Sequence, residues 1–285
     1  MRPDSLPLVH AYRDAGPMLG NVTRWRPRRV FCTARRNHAD TPGVEYVVKF
    51  QQGREGAAAL ISEVICHGLL QACRVATLEA ALVSVGERFA ASYEGTDVPY
   101  AVLPGLHFGT VRRNDVLPGP PVDAASLTEP AEFVRLWVMD SWFMNIDRDV
   151  YGNMLLVPGR DRNWHVVAAD QSDCFEGAAF LANGSYATTA TQRGPAPDCG
   201  MLAWAVRQAG VDTLRAAADS VRAACDLLPV VCRRVPGPWW ADAGVEQAVL
   251  IGCLEERGRR IEDIVDVRMW EGLGHAIEGG HLLDL

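Results

Sequence analysis

Three oxygen-bearing side chains, Asp147, Asn153 and Asp170, stand where hairpin geometry gives their spacing a meaning. A strand predicted to leave from Asn153 turns over Pro158–Asn163 and returns to end at Asp170. In an antiparallel pair the start of the first strand lies beside the end of the second. Asn153 and Asp170 are therefore expected at one end of the hairpin, with Asp147 in the loop that feeds it. A carboxylate and an amide oxygen are hard ligands suited to Mg²⁺, which keeps waters and substrate phosphates as its remaining ligands. A second carboxylate placed for a nucleophile completes the acidic half of a phosphoryl-transfer site. Asp149, Asp161 and Asp173 are assigned the ordinary role of acids in turns.

The basic half is expected from Lys49. The chain carries 28 basic side chains, and Lys49 is its sole lysine. An ammonium is a compact point charge, and a guanidinium, being a planar fork, does not replace it at a crowded phosphate. Glu63 is the only acid between Glu55 and Glu79, and Leu60, Cys66, His67 and Leu70 are its helical neighbours. A glutamate on so apolar a face is costly to bury without a partner. Lys49, on the strand just before, is that expected partner.

The elements that must position these residues follow from periodicity and turn chemistry. Residues 8–13 and 28–34 have weak strand character. The run 44–50 (VEYVVKF) reads as a strand after the turn Thr41-Pro42-Gly43. Residues 55–73 have helical spacing of Ala57, Leu60, Ile61, Val64, Ile65, Leu69 and Leu70. Short apolar runs at 81–85 and 98–103 have strand length. A Pro/Gly-rich stretch, 104–130, precedes an apolar helix at 131–144, and the hairpin strands are expected at 154–157 and 164–169. Residues 176–200 are small and polar and read as a mobile surface loop. Its Ser185, Thr188, Thr189 and Thr191 offer hydroxyls to phosphate, with Arg148 as a candidate to capture it. Helices are expected at 201–209, 212–228 and 242–266. The fold class is α+β: residues 1–103 form a small mixed lobe that binds nucleotide, and residues 104–285 a larger, mainly helical catalytic lobe.

Composition narrows the partners. The 285 residues are 48% hydrophobic and 22% charged, with a formal net charge of −7. That is the profile of a globular protein, and its acidity argues against nucleic acid as the main partner. No apolar run approaches the ~20 residues of a membrane span. The N-terminus lacks the apolar core of a secretory signal. Eight scattered cysteines without a C-x-x-C read as buried thiols, so a cytoplasmic location is expected.

Taken together, these segments resemble a family. The run VVKF, an apolar helix carrying Glu63, the string D-x-W-x-x-N-x-D-R from Asp140 to Arg148, the G-N-x-L-L from Gly152, and W-x-V-V-A-A-D ending at Asp170 resemble the HipA-like kinases. The likeness runs over roughly residues 20–270 and takes in Pro238-Trp239 and the Leu254–Arg257 Leu-x-x-Arg. It implies a bilobal protein-kinase-like fold, shared with the phosphatidylinositol 3/4-kinases, and an ATP- and Mg²⁺-dependent transfer to a protein Ser/Thr hydroxyl. By that resemblance Lys49 holds the ATP phosphates, Glu63 orients it, Asp147 is the catalytic aspartate, and Asn153 and Asp170 bind Mg²⁺. The segment 100–105 would form the hinge that meets adenine, through Tyr100, Val102 and Leu103. The chain departs from the pattern in three places. The Asp147-to-Asn153 spacing is one residue longer, Gln171-Ser172 follow the metal aspartate in place of a glycine motif, and no glycine-rich phosphate loop is evident beyond Gly16 and Gly20. A pseudokinase acting as a nucleotide-binding or interaction module, and a lipid or small-molecule kinase, are the alternatives.

Overall fold

Five strands close into a barrel in the computed structural model, which describes residues 5–17, 27–34, 43–53, 56–96, 98–118, 129–145, 147–148, 153–159, 164–175 and 205–266. They are β1 (Leu8–Pro17), β2 (Arg28–Thr33), β3 (Val44–Lys49), β4 (Ala80–Val85) and β5 (Gly105–Val111), in the order β1-β2-β3-β5-β4. The neighbours are antiparallel except at the closure, where β1 runs parallel to β4 with Leu8 opposite Leu82. Period-2 alternation turns Val30, Cys32, Tyr46, Val48, Ala81, Val83 and Val85 inward, all buried in one cluster. Lys49 of β3 and Leu106 and Phe108 of β5 face outward. There Phe108 joins a second core with α1 (Gly56–Ala72).

The β4–β5 connection fills one end of the barrel. It carries α2 (Glu87–Ala91), and Phe89, Ala90, Tyr93 and Val102 lie in the barrel's own cluster, with Tyr100 packed against it. The expected strand at 98–103 is thus an irregular plug. The fifth strand comes later, at Gly105–Val111, past the boundary expected at residue 103. Glycines and a histidine disguise it in the sequence, and the barrel explains one of them: a Cβ on Gly109 would meet Val83 Cγ2 at 2.8 Å.

The second core gathers the helices. In α1 every residue from Ala59 to Leu70 is buried, as expected of a helix covered on all sides. Around it lie α3 (Pro130–Phe143), with fully buried Trp137 and Trp142, α4 (Val211–Ala224), α5 (Leu228–Cys232) and α6 (Ala243–Arg259). A three-stranded sheet, β6 (Leu117–Pro118), β7 (Met154–Pro158) and β8 (Trp164–Ala168), carries the predicted hairpin, with Met154 opposite Ala168. The architecture is mixed α/β. No helix among the described residues is long and apolar enough to cross a membrane. The expected loop at 176–200 lies outside the described residues.

Candidate active site

Alternation in β3 decides where Lys49 goes. Val48 and Phe50 enter the barrel, so Lys49 points out of it, towards α1. Its ammonium donates to Glu63 Oε1 at 2.6 Å, to Asp170 Oδ1, and to Ser172 Oγ at 3.1 Å. An ammonium has three protons, and these partners take all of them. Glu63 Oε1 also accepts the Gln171 backbone N–H at 3.0 Å, which answers the cost of burying its carboxylate. Burial alone would lower the Lys49 pKa, but Asp170 and Glu63 outweigh it and leave it raised. Burial dominates at Glu63 and raises its pKa against the pull of Lys49. At Asp170 the same burial is overcome by Lys49 and the Ser172 hydroxyl, and the carboxyl falls to about 2.

The hairpin places the remaining pair. The ladder runs one step beyond β7 and β8, the Ala169 N–H donating to Asn153 O at 3.0 Å, and Asp170 follows at once. Asp170 has φ 52°, the left-handed region that aspartate tolerates better than most residues. Its Oδ1 accepts the Ser172 N–H at 3.2 Å and hydroxyl at 2.6 Å, closing a tight local turn. Asn153 donates its side-chain amide to Asp147 O at 2.8 Å and to Asp147 Oδ2 at 2.7 Å. The extra residue between them therefore leaves Asn153 beside Asp147. Burial, then the negative charge of Asp173, raise the Asp147 pKa, which suits a proton acceptor. Asp173, read from the sequence as an ordinary turn acid, is thus a neighbour of the candidate base, whereas Asp149 and Asp161 lie outside the described residues.

A buried guanidinium holds this loop. Arg148 grips Asp140 of α3 with Nε and Nη2, each at 2.9 Å. It also donates to the carbonyl of Asn153, to Ala169 O at 2.6 Å and to Gln171 Oε1 at 2.7 Å. Asp140 accepts from Asn145 Nδ2 at 3.0 Å, and Asn145 Oδ1 takes the Asp147 N–H at 3.0 Å. One side chain thus ties α3, the Asp147 loop and both ends of the hairpin. At 6% exposure, with its donors spent inside the protein, Arg148 is not the phosphate receiver expected from the sequence. The signal that would have found this pair is Asp140, an acid inside an apolar helix, to which the argument made for Glu63 applies equally.

Tyr100, Val102 and Leu103 are not with these residues. Tyr100 and Val102 pack with the barrel interior, on the opposite side of β3 from Lys49. Leu103 is exposed, its carbonyl facing His107 Nε2 at 3.1 Å. An apolar run does not reveal whether it lines a pocket or plugs a barrel. A separate cleft of about 690 Å³ between α1, α3 and α4, bordered by Arg74, Arg135 and Asp212, holds none of the candidate residues.

Comparison with solved structures finds a Helicobacter pylori proinflammatory kinase, CtkA, with a TM-score of 0.52 over 89% of this chain and 93% of that one, at 12% identity. The fold is kinase-like. No family model matches the chain. No curated protein matches it either. At 12% identity the likeness is one of fold, and what the kinase-like frame does here rests on its side chains.

Proposed function

We propose that this chain is an ATP- and Mg²⁺-dependent phosphotransferase of HipA-like type, acting on a protein Ser/Thr hydroxyl. The observation that carries the reading is the joining of Lys49, Glu63 and Asp170 beside the Asp147–Asn153 pair. Its oxygens suit the cation. Asn153 spends its amide N–H groups on Asp147 and keeps Oδ1, while Asp170 spends Oδ1 and keeps Oδ2. Among the described residues no group of three or more His, Cys, Asp or Glu side chains could hold a metal. Two protein oxygens are nevertheless what Mg²⁺ takes when phosphates and water complete its shell.

In this reading ATP supplies the phosphoryl group and Mg²⁺ the counter-charge on its phosphates. Asn153 and Asp170 hold the cation, Lys49 neutralises phosphate oxygen, and Glu63 keeps Lys49 in place. Asp147 orients the acceptor hydroxyl and takes its proton, a role served by a carboxylate of raised pKa. The base lies along the outer face of β3, on the side where Lys49 emerges, rather than at Tyr100–Leu103. A nucleotide-binding module without turnover is the second reading, favoured by the complete engagement of Lys49 with its own chain. Labelled ATP with Mg²⁺ and the purified chain separates the two. Autophosphorylation or ATP hydrolysis falling 10²–10⁴-fold in Asp147→Asn, with nucleotide binding retained, is the expected result. Binding without turnover in the unaltered protein selects the module.

A further inference from the structure

We infer that Arg29 forms the wall against which the base of the nucleotide stacks, an inference that rests on the phosphotransferase reading. Arg29 stands in β2 directly opposite Val47 of β3, two residues before Lys49. Val30 and Val48 are buried inside the barrel, so Arg29, Val47 and Lys49 share its outer face. From Lys49, Val47 is about 7 Å along the strand, and Arg29 is one strand, about 5 Å, to the side. α1 covers the other flank of Lys49 through Glu63, which leaves the Val47–Arg29 side as the way a ligand anchored at Lys49 extends.

The guanidinium is held there. Arg29 Nη2 donates to Ala15 O at 2.6 Å, and Nη1 lies 3.5 Å from Glu45 Oε1. Arg112 fixes Glu45 in turn, its Nη1 reaching both carboxylate oxygens at 3.0 and 2.9 Å. Gly16, opposite Arg29 on β1 with φ 96°, adds no side chain over it. Arg29 Nε is buried without a hydrogen-bond partner among the described residues. A planar cation fixed at two corners and still partly exposed suits the π-face of a nucleobase. The residue therefore adds affinity for the base and not for the phosphates.

Isothermal titration calorimetry of the full chain, with Mg²⁺ and either ATP or inorganic tripolyphosphate, tests this. In Arg29→Leu the affinity for ATP is expected to fall about threefold to thirtyfold, with tripolyphosphate binding changed less than about twofold. Arg29→Lys keeps the charge but loses the plane, so it is expected to show most of the same selective loss. It decides the matter should Arg29→Leu fail to fold. An equal loss for both ligands, or no loss for ATP in either variant, overturns the role of Arg29. If Lys49→Ala abolishes binding of both ligands while the Arg29 variants bind normally, only this inference falls. If the unaltered chain binds neither ligand, the phosphotransferase reading falls and this inference with it.

Discussion

The Nζ of Lys49 sits in a triangle of Glu63, Asp170 and Ser172 oxygens, and that confinement is why arginine cannot stand in for it. A guanidinium is bulkier and forked, and it would push Asp170 out of line. Lys49→Arg is expected to lower phosphoryl transfer by about 10²–10³-fold, the cost of losing one preorganised charge, with the fold intact by circular dichroism. The residue scale also carries a pH effect. His107 accepts the Gln51 N–H on Nδ1 at 3.0 Å, and its Nε2 faces Leu103 O at 3.1 Å, a pattern that needs the neutral ring. Burial lowers its pKa to about 4, against 6.5 for the unperturbed ring. Between those values the unfolded chain binds the extra proton and the folded one does not, so stability falls as pH drops from about 6.5 to 4. The full effect is about 3 kcal/mol. Urea titrations at pH 7 and pH 4.5 should show a smaller difference in His107→Gln than in the unaltered protein.

At the scale of elements, the loop carrying Asp147 is built on a buried ion pair. Arg148 and Asp140 are 6% and 1% exposed, and removing one charge strands the other. Asp140→Asn is expected to cost about 3–5 kcal/mol in chemical denaturation, far more than a surface pair would. This scale also shows where the sequence is readable. Glu63 and Lys49 can be paired in advance because a lone acid on an apolar helix requires a cation, and the hairpin register brings Asn153 next to the residue before Asp170. The β5 strand is hidden because Gly109 and His107 serve close packing and Gly105 a φ of 148°, rather than strand propensity. Tyr100 and Val102 pack with the barrel rather than beside Lys49, and burial in a plug and burial in a pocket demand the same apolar side chains. Barrel closure depends on β1 meeting β4 from far along the chain, and no local pattern reports such a meeting.

Across the whole molecule, the barrel and the helical core meet at Lys49, since its partners come from α1 and from the segment after β8. With its three protons engaged, Lys49 has none free for a phosphate until one partner withdraws. A cation drawn to Asp170 would weaken its hold on Lys49 and release that donor. Metal and nucleotide should therefore bind cooperatively, each raising the affinity for the other by the same factor. Thermal melts check this. ATP alone should shift the midpoint little, while ATP with Mg²⁺ at about a hundredfold over Kd should add about 2.7 kcal/mol and several degrees. In Asp170→Ala the benefit of Mg²⁺ should disappear.

The closure of β1 on β4 has a consequence for behaviour at high concentration. Open strand edges recruit neighbouring chains, and a barrel has none. The strand most at risk is β8, whose Trp-His-Val-Val-Ala run is apolar and lies at the rim of its sheet. Two of its rim amides are taken: the Val166 N–H donates to Glu132 Oε2 at 2.9 Å and the Ala168 N–H to Ala76 O at 2.9 Å. A carboxylate at that edge also repels the acidic surface of another copy. Glu132 thus occupies a backbone donor that another copy would need in order to pair with the strand that leads into Asp170.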